Sequence, residues 1–290
     1  MQKDNTGAFY NSGVFLKSPP KLLCRTKKAH GAYGRREEKR MNRLQNKIAI
    51  ITGGSKGMGL ATAEQFVAEG AYVYITGRRR QDLDAAVTKI GKNVTAIQGD
   101  ASDLAHLDRL YKQIAEEKGR VDIVFANAGI GNQMAALGSI TEEQIEQTFN
   151  LNVRGLIFTV QKALPLMHEG SSIILNASSA SIKGIGSLSV YAASKAAVRS
   201  LARSWTTDLK DRKIRVNTLS PGYTETSIFE TLEWTKKQFE TVKAGITTTI
   251  PLGRWAQPEE IARAAAFLAS DEGSYVTSIE LFVDGGAVQV

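Results

Sequence analysis

Seven short apolar runs, spaced by helical patterns, leave few folds open to this chain. The runs are Ile48–Ile51, Tyr72–Ile75, Val94–Ile97, Ile123–Ala126, Ile173–Leu175, Ile214–Asn217 and Leu281–Val283. They are apolar at successive rather than alternate positions, as strands covered on both faces are. Helical patterns fall between them at Gly57–Glu69, Gln81–Ile90, Asp103–Glu117, Glu142–Met167, Val190–Leu209 and Pro258–Leu268. Strands that alternate with helices specify a parallel sheet with helices on both faces and right-handed crossovers. The sequence thus predicts one α/β domain over residues 44–290, a doubly wound parallel seven-stranded sheet with no internal repeat.

Residues 1–43 break the pattern. They contain Pro19-Pro20 and the basic cluster Arg35-Arg36-Glu37-Glu38-Lys39-Arg40, without sustained periodicity. Of the net charge of +8, a surplus of seven lies in residues 1–40, where ten Lys or Arg face three acids. The body is therefore nearly neutral, and its charge argues for neither a nucleic-acid nor a membrane partner. No run reaches the 18 or more apolar residues of a membrane span. The leader lacks the apolar core of a secretory signal. It is basic and acid-poor, as organellar transit peptides are, but Met41 opens a stretch that reads as a natural start. A disordered tail or upstream extension is the expectation. The lone Cys24 allows no intramolecular disulfide, which suits a cytoplasmic protein. His30, His106 and His168 stand apart, with neither CxxC nor HExxH, so no metal site is expected.

Between the first run and the first helix lies Thr52-Gly53-Gly54-Ser55-Lys56-Gly57-Met58-Gly59. A dinucleotide fold puts its pyrophosphate at this place, against free amides at a helix amino terminus. The second strand then ends in Gly77-Arg78-Arg79-Arg80. A free ribose 2′-hydroxyl is usually met there by a carboxylate, and a 2′-phosphate by arginine. No carboxylate stands at that end, and Lys56 adds a cation, so the spacing points to NADP(H) over NAD, with Arg78 and Lys56 converging on the phosphate.

The stretch from Ser172 to Ala197 carries the reactive side chains. Tyr191 and Lys195, four apart on a helix, project to one side, and Ser178 stands thirteen residues before the tyrosine. A phenol titrates near 10. A cation about 4 Å away is worth about 4 kcal/mol at an effective dielectric of 20. The expectation is that Lys195 draws Tyr191 toward neutrality, where acid–base groups work best. Ser179 is a rival for the serine position, which the spacing gives to Ser178.

These residues together resemble the short-chain dehydrogenase/reductase family over about residues 42–290. The motifs are TGGSKGMG (52–59), Asp100-Ala101, Asn127-Ala128-Gly129, Asn152 in NLNVRG, Ser178, YAASK (191–195), PGYTET (221–226) and VDGG (283–286). The resemblance implies a Rossmann-like fold and Tyr191 as general acid–base. Lys195 would lower the phenol's pKa and hold the nicotinamide ribose. Ser178 would orient the carbonyl, and Asn152 would anchor a water in a proton relay. It further implies that Gly53, Ser55, Lys56, Gly57, Met58, Gly59 and Arg78 hold the phosphates. Asp100 and Ala101 would meet the adenine, with Asn127, Ala128 and Gly129 near its ribose. Pro221, Gly222, Thr224 and Thr226 would cradle the carboxamide. A homotetramer is implied as well. Two departures stand out: Thr224 replaces an aliphatic residue, and Ser278 replaces a glycine before the last strand.

The expected function is hydride transfer between nicotinamide and a small alcohol or ketone. Residues Thr226–Pro251, with Phe229, Leu232, Trp234, Phe239, Val242 and Ile246, read as a mobile, partly apolar cover, with a packed helical excursion of no substrate role as the alternative, and Ile130, Ile182 and Ile185 as further apolar wall. No histidine lies in the motifs, so a Ser-His-Asp hydrolase lacks its base. A catalytically silent NADP-binding regulator on the same fold is the alternative, though it would not need the serine, tyrosine and lysine together. An epimerase or dehydratase would bring a larger substrate domain.

Overall fold

The computed structural model describes residues 42–131, 134–226 and 235–290. The basic leader lies outside them, as do Phe229, Leu232 and Trp234. Residues Lys39–Val290 cluster as one unit.

Seven parallel strands form one sheet: β1 (Ile48–Thr52), β2 (Tyr72–Gly77), β3 (Val94–Gln98), β4 (Ile123–Ala126), β5 (Ser172–Asn176), β6 (Arg215–Pro221) and β7 (Glu280–Val283), in the order β3-β2-β1-β4-β5-β6-β7. The helices are α1 (Gly57–Ala68), α2 (Arg80–Ile90), α3 (Leu104–Lys118), α4 (Glu142–Phe149), α5 (Leu156–Ala163), α6 (Ser189–Asp208), α7 (Lys236–Thr247) and α8 (Pro258–Ala269). No described helix is long and apolar enough to cross a membrane.

Strand residues alternate between two cores. Ile48, Ile50, Val124, Ile173 and Leu175 pack with Leu107, Leu110 and Ile114 of α3, Val160 of α5 and Val198 of α6. Ala49, Ile51, Val73, Phe125 and Ile174 pack with Phe66 of α1, Leu83 of α2 and Ile261 and Leu268 of α8. Both faces are thus filled, which is why the strands read as unbroken apolar runs. Strand order reverses between β1 and β4, and the carboxyl ends of the strands meet there in the crevice where such sheets bind ligands.

Two local features depart from the sequence reading, and a third agrees with it. The single helix expected over Glu142–Met167 is composite: α4, a π-helical turn at Asn150–Gly155, α5, then a 3₁₀ turn at Leu164–Leu166. A close approach accompanies the wide turn, since a Cβ on Gly155 would lie 2.8 Å from the Ala101 carbonyl oxygen. The stretch read as a mobile cover contains α7, closed at its start by a capping box between Thr235 and Gln238. Phe239 and Ile246 of α7 pack against the small cluster of Ile250, Trp255 and Ala287. Finally, Ser278 stands at φ 64°, a left-handed conformation that glycine adopts without the Cβ clash.

Candidate functional site

The glycine turn shapes the crevice. Gly53 and Gly57 have φ of 66° and 52°, and a Cβ on Gly59 would lie 2.2 Å from the Gly53 carbonyl oxygen. Glycine is thus required both for the turn and for its close approach to α1. Lys56 is the N-cap residue and caps no amide with its side chain, and the first turn of α1 holds no acid. The opening amides of Gly57, Met58 and Gly59 therefore present donors and a positive dipole end with no carboxylate competing for an anion. This donor set fits a pyrophosphate.

Side chains from two neighbouring strands brace the turn. Thr52 Oγ1 accepts from the amides of Asn127 and Ala128, each at 3.1 Å. Asn127 Nδ2 donates to the Thr52 and Gly53 carbonyls at 3.0 and 3.2 Å. Asn176 Nδ2 in turn donates to Asn127 Oδ1 at 3.0 Å. Sequence reasoning assigned no role to Thr52 or Asn176. Each ends a strand at the crevice, and that position was the available signal.

At the rim, the two cations expected to converge each face a carboxylate. Lys56 Nζ lies 3.0 Å from Asp82 Oδ1, and Arg78 Nη1 lies 4.0 Å from Asp100 Oδ2. Arg79 also pairs with Asp82 and Arg80 with Asp84. The lysine contact, with that of Arg79, holds the Asp82 carboxyl below the usual range. A Cβ on Gly77 would stand 3.0 Å from Ser55 Oγ, so the end of β2 lies directly on the glycine turn. Asp100 Oδ1 accepts from the amide and hydroxyl of Ser102 at 2.9 and 2.7 Å, which fixes the turn after β3. Ala101 is buried beside it.

The loop after β5, the segment after β4 and helix α6 bring the reactive groups together. Ser178 begins the 3₁₀ turn Ser179–Ser181, its Oγ accepting from the Ala180 amide at 3.2 Å. The Ser178 hydroxyl also acts on the Tyr191 phenol, drawing its pKa down, whereas Ser179 is buried, which favours Ser178 over its rival. A Cβ on Gly131 would lie 2.9 Å from the Tyr191 ring, and one on Gly129 would lie 3.0 Å from Asn152 Oδ1 and 3.4 Å from Lys195 Nζ. Asn152 sits in the π-helical turn. It donates through Nδ2 to Ile130 O at 2.9 Å and Ser194 Oγ at 3.0 Å, and accepts from the Ile130 amide at 2.9 Å.

The electrostatics correct one expectation. Lys195 does not pull the Tyr191 phenol down here. Burial pushes it above its ordinary value, and the Ser178 hydroxyl offsets that only in part. The ammonium is 5.8 Å from the centre of the phenol ring and donates to the Asn176 carbonyl at 2.7 Å. Lys195 is itself only 4% exposed, and burial lowers its pKa to about 8. At this separation, desolvation of the phenol outweighs attraction to the cation.

The carboxamide-side segment closes the crevice. Pro221 ends β6 opposite Val283, a Cβ on Gly222 would lie 2.6 Å from Asp284 Cα, and Thr224 Oγ1 donates to Gly222 O at 3.1 Å. Thr226 reaches the glycine turn, its Cγ2 3.3 Å from where a Gly57 Cβ would be.

Comparison with known proteins agrees with this geometry. A family model described as Enoyl-(Acyl carrier protein) reductase matches residues 53–288. The oxidoreductase asL5 of Sarocladium schorii is 48% identical over 254 residues, 86% of this chain and 99% of that protein. The NADP-dependent (R)-specific alcohol dehydrogenase of Lentilactobacillus kefiri is 37% identical over 252 residues, 84% and 98% of the two chains. The crystal structure of levodione reductase superposes with a TM-score of 0.80 at 30% identity, covering 86% of this chain and 100% of the other.

Proposed function

Since the chain belongs to the short-chain dehydrogenase/reductase family, and is thereby an NAD(P)-dependent oxidoreductase of CH–OH and C=O groups, we propose that it uses NADP(H) on a small alcohol or ketone, with Tyr191 as the acid–base. The observation that carries the reading is the grouping of Tyr191 with Lys195, whose ammonium is 5.8 Å from the phenol ring, and with Ser178, whose hydroxyl acts on that phenol, at the carboxyl edge of the sheet.

When bound, the nicotinamide supplies the hydride. In the reducing direction Tyr191 gives its proton to the substrate oxygen, while Ser178 donates a hydrogen bond where charge develops. Lys195 holds the nicotinamide ribose. Asn152 anchors the water of the proton relay and fixes the Ile130 backbone beside the site. The glycine turn and the amides of α1 hold the pyrophosphate. Asp100 and Ala101 meet the adenine, and Asn127 holds the turn against which its ribose rests. Residues 221–226 cradle the carboxamide. Arg78 and Lys56 receive the 2′-phosphate, a reading that the NADP-dependent relative supports.

Apolar side chains at the mouth favour an apolar carbonyl compound. Ile182 and Met134 are exposed, and the Ala135 amide joins their two loops by donating to Ser187 O at 2.8 Å. Within this reading the protein works in the cytoplasm as a homotetramer, without nucleic-acid or membrane partners. Its test is NADPH consumption against a panel of aldehydes, ketones and diketones, with wild type and Tyr191→Phe. The variant should lose about 10²–10⁴-fold in kcat and keep its NADPH affinity. A variant that kept a tenth of the activity would refute the proton role.

A further inference from the structure

The carboxylate of Glu280, which opens the edge strand β7, lies outside the reaction just described, yet it touches three of the segments that build the site. Its register partner on β6 is Thr218, so Ser220, two residues on, presents its side chain on the same face. Ser220 Oγ donates to Glu280 Oε1 at 2.8 Å, and Ser181 Oγ donates to that same oxygen at 2.7 Å. The other oxygen, Oε2, lies 3.4 Å from Arg199 Nε, with the glutamate side chain only 11% exposed.

Each partner belongs to a different part of the site. Ser181 closes the 3₁₀ turn that starts from Ser178. Arg199 stands one helical turn beyond Lys195 on α6. Ser220 immediately precedes Pro221, where the carboxamide-side segment begins. We infer that Glu280 is a positioning residue that sets the distance between Ser178 and Tyr191 by tying the serine turn, helix α6 and the end of β6 to one part-buried carboxylate. The inference rests on the reading of Ser178 and Tyr191 as the groups that act on the substrate oxygen.

The chemistry calls for a carboxylate. Two hydroxyl donors converge on one oxygen and a guanidinium faces the other, so all three need acceptors. In Glu280→Gln the new NH₂ group either faces the guanidinium, where a donor meets a donor, or faces the hydroxyls, which must then accept instead of donating; in both cases the charge opposite Arg199 is lost. The tie among the serine turn, α6 and the end of β6 is thereby loosened, while the glycine turn and the amides of α1 keep their own contacts.

The experiment compares wild type, Tyr191→Phe, Glu280→Gln, Ser181→Ala and the Glu280→Gln/Ser181→Ala pair. Turnover is read with NADPH and the best-used member of the carbonyl panel, NADPH affinity by fluorescence titration, and stability by thermal melting. Glu280→Gln should lower kcat about tenfold, since small misplacements of reacting groups are costly, with NADPH affinity within about twofold of wild type. Ser181→Ala, which removes one part-buried hydroxyl of the 3₁₀ turn and spares the core, should lower kcat in the same way. The pair should be no slower than Glu280→Gln alone, because both changes cut one tether. Unchanged kcat in the single variants, or a loss matched by equal losses of NADPH affinity and melting temperature, would overturn the inference. Wild type that turns over, loses activity in Tyr191→Phe and is matched by Glu280→Gln would overturn the Glu280 role alone. Wild type without turnover on any carbonyl would overturn the acid–base reading and the Glu280 role with it.

Discussion

Cofactor choice follows from the rim of the crevice, and the rim sets its size. A 2′-phosphate held by Lys56 and Arg78 forms two charge-assisted hydrogen bonds, each worth about 1.5–3 kcal/mol when well shielded. Their side chains are 47% and 68% exposed, and exposed pairs fall toward about 0–1 kcal/mol. Lys56 must also leave Asp82. A net preference of about 2 kcal/mol remains, or about 30-fold in kcat/KM for NADPH over NADH. Two variants move that number in opposite directions. Gly77→Asp/Arg78→Ile removes a cation and adds a repelling carboxylate, and the preference should collapse. The substitution at Gly77 strains no backbone, since its φ is not positive, but a Cβ would stand 3.0 Å from Ser55 Oγ, so that hydroxyl must give by a few tenths of an ångström. Asp82→Asn frees Lys56 and deletes a negative charge beside the phosphate, so the preference should rise about threefold, which is well under one further charge-assisted bond. Steady-state kcat/KM for both cofactors, at low and high salt, is the assay, and the preference should shrink with salt. Equal values in wild type, an NADH preference, or a smaller NADPH advantage in Asp82→Asn would refute the reasoning.

Two further outcomes are expected. Lys195 has a folded pKa of about 8 against an ordinary 10.5. Between those values the unfolded chain keeps a proton that the folded chain has released, so stability rises with pH across that window, by about 3 kcal/mol in total. Denaturant melts of wild type against Lys195→Met would refute this if their difference stayed flat or fell with rising pH. Sedimentation of the full chain, and of a version lacking residues 1–40, should give a tetramer of unchanged melting temperature in both cases. A monomer at micromolar concentration would count against self-association, and a large drop in melting temperature on deletion would count against the leader's independence.

The sheet was legible because burial on both faces writes itself as unbroken apolar runs, and each of the seven runs lies on a strand within a few residues. Long-range pairing was not legible. Lys56 and Arg78 announce two cations, but their competition with Asp82 and Asp100 depends on where the start of α2 and the turn after β3 lie in space. The same holds for Glu280, whose partners lie 60 and 99 residues away. Helix α7 was read only as the alternative to a mobile cover, because its sequence, KKQFETVKAGIT, is mostly polar. The Thr235-to-Gln238 spacing of a capping box was the available clue. Tyr191 and Lys195 were found from their spacing, but the direction of the phenol's net shift needed the distance between ammonium and ring and the burial around both groups.

The wide turn at Asn150–Gly155 acts as a phase shifter. A π-helical turn inserts an extra residue into the helical repeat, so α4 and α5 keep one continuous axis while their inward faces are rotated relative to each other. The leading half lies against α6 and the trailing half against α3 and β4, with Asn152 at the joint facing Ile130 and Ser194. Removing a single residue from this stretch would restore an even helical repeat. Either α5 would then turn its apolar stripe away from the sheet, or Asn152 would swing out of the crevice. Length is therefore fixed here to the single residue, in a segment whose outer surface would otherwise tolerate wide variation in sequence.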